Sequence, residues 1–384
     1  MGKRVHIKKQ KGIDLILKTP GFVYTEPPTI QNTGTVRGGK SLSLTLRSRG
    51  QFFCYKRRLA MIRLSYRVCF FTIAVSLLFS LTAFSQTVKI TPLGSHDGEF
   101  CGRDRAMLFE DPDGTRLIFD VGRTIAGPED PRLGKIDAVL LSGMHGDHLG
   151  DKRISKTGNG TCAKPQTEVE TVPNSNTADI IVGKKARALL GGEMHKFMQA
   201  KVKAAGGDAK QVEILRFGGE RQVGGVRVAI VPVTHSNGIG SGFLNNDLGD
   251  LLDHDGLTAY AGPDNGYILN FSNRLTVYLS GDSGITAEQE VTVRGFYGAE
   301  LAVINAGGIY TSGPKEAAYS INELVRPRAV IPHHMNEAAT EKGKVKPGSK
   351  TALFESLVKD IPVHIPISGR TMEFNGDGKC TNGC

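Results

Sequence analysis

The chain has 384 residues, 39% of them hydrophobic, enough for one large α/β domain or two small ones. Its formal charge of +10 invites a nucleic-acid reading, but residues 1–85 hold 15 Lys/Arg against only Asp14 and Glu26, and the remainder holds 33 against 36. The basic excess belongs to the leader, which argues against a nucleic-acid partner.

Residues 1–60 carry no sustained helical or strand period, several Gly and Pro, and scattered basic residues, and they read as a disordered extension. Met61 then opens Met-Ile-Arg-Leu-Ser-Tyr-Arg, followed by an apolar run from Val68 to Phe79 and by Ala83-Phe84-Ser85 before Gln86. A basic start, a short apolar stretch and small residues before the cut make residues 61–85 a secretory signal, too short in its apolar run to anchor the chain in a membrane. Met61 is then the expected start, residues 1–60 a non-native upstream extension, and residues 86–384 an exported domain, periplasmic or secreted. Cys54 and Cys69 would leave with the leader. Cys101, Cys162, Cys380 and Cys384 would remain, and in an oxidising compartment they read as disulfides. Cys380 and Cys384 flank a Thr-Asn-Gly turn, and a Cys101–Cys162 bridge would staple two loops.

Short strands are expected at residues 88–93, 106–110 and 116–120, with Asp111-Pro112-Asp113-Gly114 as the hairpin turn between the last two. Asp120 ends its strand just before Val121-Gly122, a position that suits either hydrogen-bonded support of a neighbouring site or an ordinary turn. The apolar run 136–141 reads as a buried strand that breaks at Ser142-Gly143. Within five residues follow His145, Asp147 and His148, a compact set of borderline metal ligands on a tight turn. Residues 151–177 read as a loop, and residues 193–205 as a helix with Met194, Phe197, Met198 and Val202 on one stripe and His195 off it, towards solvent. Strands are expected at 212–217, 221–223 and 226–234, the last leading to His235. Residues 236–266, rich in Gly, Asn and Asp, read as a lid or specificity loop with a short turn at 248–252. His254 is the residue in it able to act in chemistry, although a plain surface histidine fits equally well. Strands at 267–271 and 275–279 deliver Asp282 in Gly281-Asp282-Ser283. A strand at 301–305, a helix at 315–325, the run Val330-Ile331-Pro332 before His333-His334, a helix at 350–359 and short strands at 363–367 and 371–374 complete the chain.

Four strands thus end in His or Asp. The His-x-Asp-His turn, the Thr-His at 234–235, the Ser-Gly-Asp-Ser at 280–283 and the Ile-Pro-His-His at 331–334 resemble the ordered motifs of the metallo-β-lactamase superfamily. Asn-Gly-Tyr-Ile-Leu at 265–269 and Val-Ile-Pro-His-His at 330–334 resemble the branch of ascorbate-6-phosphate lactonase and of N-acyl phosphatidylethanolamine phospholipase D. The resemblance covers roughly residues 87–374. One position departs from the pattern His-x-His-x-Asp-His: its first histidine falls on Gly143.

The resemblance implies an α/β (α+β) fold, specifically a four-layer αβ/βα sandwich with metal at one edge between the sheets. One metal would take His145, His235 and Asp282, and the other Asp147, His148, Asp282 and His334, with Asp282 bridging. Asp120 would support the metal turn without binding metal, and His333 would occupy a variable position. Zinc is the expected ion, manganese or iron the alternatives, and one or two ions are compatible with Gly143, whose missing imidazole water or His254 would replace. A metal-bound hydroxide would then cleave an ester, lactone, amide or phosphodiester bond of a small-molecule substrate, with Asp147 as a catalytic residue. No Gly-x-Ser-x-Gly motif offers a competing nucleophile. Iron-dependent oxidation on the same scaffold, or a degenerate metal-binding protein, are the other readings.

Overall fold

Side chains alternate between two faces along each strand, and this period of two builds the layers. In Val226–Pro232, Val228 and Ile230 join one apolar cluster while Ala229 and Val231 join another. The structure is a computed structural model that describes residues 86–384 apart from Asn246. The signal sequence expected at 61–85 and the extension at 1–60 lie outside the described residues.

The first sheet runs in the order Val212–Ile214, Arg187–Leu190, Ala138–Leu140, Arg116–Phe119, Met107–Glu110, Val88–Pro92, Met372–Phe374, Cys380–Asn382. Its first four strands pair in parallel and the others antiparallel. The second sheet runs Glu220–Val223, Val226–Pro232, Asn265–Asn270, Thr276–Leu279, Leu301–Asn305, Ala329–His333, with only its last three strands parallel. Between the sheets, Phe109, Phe119, Leu140 and Leu189 meet Ile230, Tyr267, Leu279 and Ile331. On the far face of the first sheet, Ile118, Val139 and Leu141 pack with Ile180, Met194 and Met198 from the helices Asn176–Gly183 and Gly192–Ala204. On the far face of the second, Ile268, Tyr278 and Ile304 pack with Val293, Ile321 and Phe354 from helical segments that include Lys350–Leu357. The layers are therefore αβ/βα, as the resemblance implied. Tyr267 ties the sheets together, its single hydroxyl proton shared between the backbone oxygens of Leu141 and Leu189, both at 2.9 Å.

Several local expectations are revised. Residues 151–177 hold two small ribbons, one pairing Lys152–Arg153 with Val169–Glu170 and the other Gly160–Thr161 with Lys164–Pro165. The loop at 236–266 carries the helix Asp247–His254, longer than the short turn expected there. Residues 363–367 form no strand; one bridge, from Val363 to Val330, is what pairs there. His195 is buried at 8% exposure instead of facing solvent, because its helix lies against the sheet on more than the apolar stripe. Cys101 pairs with Cys162 across Cα atoms 4.8 Å apart, and Cys380 pairs with Cys384. Among the described residues no helix is long and apolar enough to cross a membrane.

Candidate metal centre

The site is built where strands of both sheets end. After Ala138–Leu140 the chain makes a single helical turn, Gly146–Leu149, entered from the extended residue His145. Asp147 and His148 lie on that turn, and Gly150 closes it with φ 78°. A Cβ at Gly150 would stand 2.6 Å from that of Asn176 and 2.7 Å from the Gly122 oxygen, so both space and backbone demand glycine there. From the second sheet come His235 after Val226–Pro232, Asp282 after Thr276–Leu279, and His334 after Ala329–His333.

The six side chains converge. Donor atoms of His145, His235 and Asp282 all lie within 4.8 Å of one another, as do those of Asp147, His148 and His334. Asp282 Oδ2 joins the sets, 3.8 Å from His235 Nε2, 2.9 Å from His148 Nε2 and 3.4 Å from His334 Nε2. Asp147 Oδ2 is 3.2 Å from His334 Nε2 and 3.8 Å from His148 Nε2. These are the two sets, and the shared carboxylate, that the resemblance implied. Their chemistry fits divalent ions: both ring nitrogens of buried His334 and Oδ1 of buried Asp282 lack a hydrogen-bond partner among the described residues.

Residues 115–335 match the family model described as the beta-lactamase superfamily domain. The chain belongs to the metallo-β-lactamase superfamily. It is 27% identical over 237 residues to a UPF0173 metal-dependent hydrolase of Koribacter versatilis, covering 61% of this chain and 82% of that one. It is 26% identical over 273 residues to another of Polynucleobacter asymbioticus, covering 68% and 81%. Among solved structures, Igni18, a metallo hydrolase of Ignicoccus hospitalis, is similar over 75% of this chain and 99% of its own at 21% identity, with a TM-score of 0.47. Family and relatives together make this chain a metal-dependent hydrolase.

Within this superfamily member, Asp120 is placed for the supporting role. Fully buried, with a left-handed φ of 46°, it accepts from Ser142 N at 2.8 Å, Ser142 Oγ at 2.7 Å and His148 Nδ1 at 2.8 Å. Strain of this kind persists where the surroundings fix it, and here it aims the other His148 nitrogen at the centre. Asp120→Asn would set an amide N–H against His148 Nδ1–H and is expected to weaken metal binding about 10- to 100-fold, measured by competition with a chromophoric chelator.

The electrostatics centre on two carboxylates. Burial works against charge on Asp147, but His148, His334 and Arg105 outweigh it and hold the carboxyl well below its usual range. Burial likewise opposes ionisation of Asp282, and His148 and His334 again prevail. Burial lowers His145, with further lowering by His148 and His235. Burial also lowers His235 and His334, which favours the neutral, metal-ligating form of all three. His148 goes the other way. Burial disfavours its charge, yet Asp282, Asp147 and Asp120 together raise it well above the ordinary range.

His333 is not among the converging donors. Its Nε2 lies 2.7 Å from the Arg105 backbone oxygen, and burial pushes it down to about 4. His254 is not brought to the site either: its ring is 84% exposed at the end of a surface helix, where Nδ1 meets Asp255 at 2.8 Å, so it cannot stand in for the imidazole missing at Gly143. Arg105 was not singled out from the sequence. Its Nε and Nη2 donate to Asp147 Oδ2 at 3.2 and 3.0 Å, and its Nη2 to Asn336 at 2.6 Å. A lone arginine in a loop gives no periodic or motif signal.

Proposed function

We propose that this metal-dependent hydrolase is exported and cleaves an ester, lactone, amide or phosphodiester bond in a small substrate that carries an anionic group. The observation that carries the reading is the pair of donor sets sharing Asp282 on the floor of an open cavity of about 720 Å³. Zinc, manganese or iron held there supplies an acidified water and a Lewis acid for the scissile carbonyl or phosphoryl oxygen. The chain's own residues do the rest. Asp147 is 27% exposed to the cavity against 6% for Asp282, so it is the carboxylate that reactants meet. Arg105, itself buried and lining the same cavity, holds Asp147 through its Nε and Nη2.

Arg103 lines the same cavity from the solvent side, and among the described residues no carboxylate lies within ion-pair distance of it. Burial and the nearby Arg123 and Arg105 disfavour its charge and outweigh the opposing pull of Asp147 and Asp151, so an incoming carboxylate or phosphate would supply the partner it lacks. Tyr310 and Ile309 offer exposed apolar surface close by. Arg103→Ala is expected to raise KM about tenfold for anionic substrates, leave kcat within about twofold, and leave neutral analogues unaffected.

The test is turnover of a panel of lactones, phosphodiesters and β-lactams by protein stripped with chelator and then reloaded with zinc, manganese or iron. Hydrolysis that vanishes on stripping and returns on loading supports the reading, whereas oxygen consumption with iron alone would favour an oxidoreductase. Export is supported by the signal pattern at 61–85 and by the four cysteines that pair as two disulfides. It predicts a native protein whose first residue is Gln86.

A further inference from the structure

Gly143 stands where the superfamily pattern has its first metal-binding histidine, and the structure shows what has taken the space. Its φ is not left-handed, so the backbone would accept a side chain. Space would not. A Cβ built on Gly143 lies 2.7 Å from Asp264 Oδ1, 3.2 Å from its Cγ and 3.3 Å from its Oδ2. Asp264 enters from the second sheet, one residue before the strand Asn265–Asn270, and the neighbouring Asn265 N–H donates to the Ser142 oxygen at 2.8 Å. The contact is therefore fixed by backbone pairing beside the metal turn.

Asp264 is also unexplained as a structural residue. It is 2% exposed, and Oδ1 has no hydrogen-bond partner among the described residues. A buried carboxylate oxygen without a donor costs stability, and cores retain such a group when a cation or a reaction needs it. The donor count around it is uneven. The second set has three donors of its own besides the shared Asp282, while the first has His145 and His235 alone.

We propose that Asp264 replaces the missing imidazole as a protein donor to the first metal, giving that ion two histidines and two aspartates. The inference rests on the reading that His145, His235 and Asp282 hold a metal. Asp264 stands outside the 4.8 Å grouping of those three, so it must turn towards an arriving cation. No hydrogen bond on Oδ1 opposes that rotation. Residues 143 and 264 then form a reciprocal pair, in which a glycine at one makes room for the carboxylate of the other.

The experiment titrates chelator-stripped, otherwise intact protein with zinc, reading stoichiometry by elemental analysis, affinity by chelator competition, and Tm with and without metal. Asp264→Ala is expected to weaken the first site about 10- to 100-fold and leave the second unchanged. Its metal-free Tm should equal or exceed that of the parent, because the unpartnered carboxylate is gone, while its zinc-loaded Tm falls below. That opposite sign separates a donor from a space-filler. Gly143→His alone should bind less zinc at the first site, since its ring meets Asp264, and Gly143→His with Asp264→Ala should regain it. Asp264→Asn gives a near-isosteric variant should the alanine fold poorly. Two sites of parental affinity in both Asp264 variants would overturn the proposal. A parent chain that binds no zinc would instead overturn the underlying metal reading.

Discussion

Asp282→Ala is expected to lose both metals and, with them, at least a thousandfold in kcat/KM, a larger effect than any other single ligand change. The reason is geometric: Asp282 Oδ2 lies within 3.8 Å of donors in both sets, so its removal would take a donor from each set at once. It also removes the one carboxylate oxygen that lies beside all three of His148, His235 and His334. The check is elemental analysis of purified protein beside kinetics with excess zinc. A variant that kept both ions would show that the carboxylate does not bridge.

The second large effect separates two adjacent histidines. His334→Ala should lose metal from the second set while the fold stays intact, because the ring has left-handed backbone, no hydrogen bond, and donors of Asp147 and Asp282 as its neighbours. His333→Ala should do the reverse. Its ring packs 5.8 Å from that of Phe119 and lies 2.7 Å from the Arg105 oxygen, so truncation leaves a cavity and an unpaired carbonyl, costing about 2–4 kcal/mol. Thermal melting combined with metal content distinguishes the two, and loss of metal from His333→Ala with retention in His334→Ala would mean that the ligand is the other histidine.

The convergence of these six side chains was legible in the sequence because each follows the end of a strand, and strand ends carry polar residues in a fixed order along the chain. His145, Asp147 and His148 share one turn, and His235, Asp282 and His334 each follow an apolar run that marks its own strand. The layered architecture was legible only through the resemblance, since strand counts alone leave α/β and α+β open. Arg187–Leu190 was missed: Arg-Ala-Leu-Leu is four residues long, alternates in neither period, and becomes a strand through its parallel neighbours on both sides. The helix Asn176–Gly183 was hidden by the polar loop before it, although Ser175 caps it by accepting from Ala178 N at 3.1 Å. Arg105 and Asp264 were illegible for another reason. Each comes from a segment distant in sequence from the metal turn, and only the paired sheets bring Asp264 against Gly143 or Arg105 against Asp147.

The division of the six donors between the sheets has a mechanical consequence. His145, Asp147 and His148 hang from one half of the sandwich and His235, Asp282 and His334 from the other, so an ion held by either set would span the seam and work as a clasp. With metal bound, pulling the halves apart would mean breaking coordination bonds as well as exposing the core, and binding free energy would become folding free energy. Free metal at a hundred times its dissociation constant would add about 2.7 kcal/mol to stability for each site. The melting temperature of this protein should accordingly follow the metal activity of its surroundings, and starvation for metal would leave a chain that both works less and opens more readily at one edge.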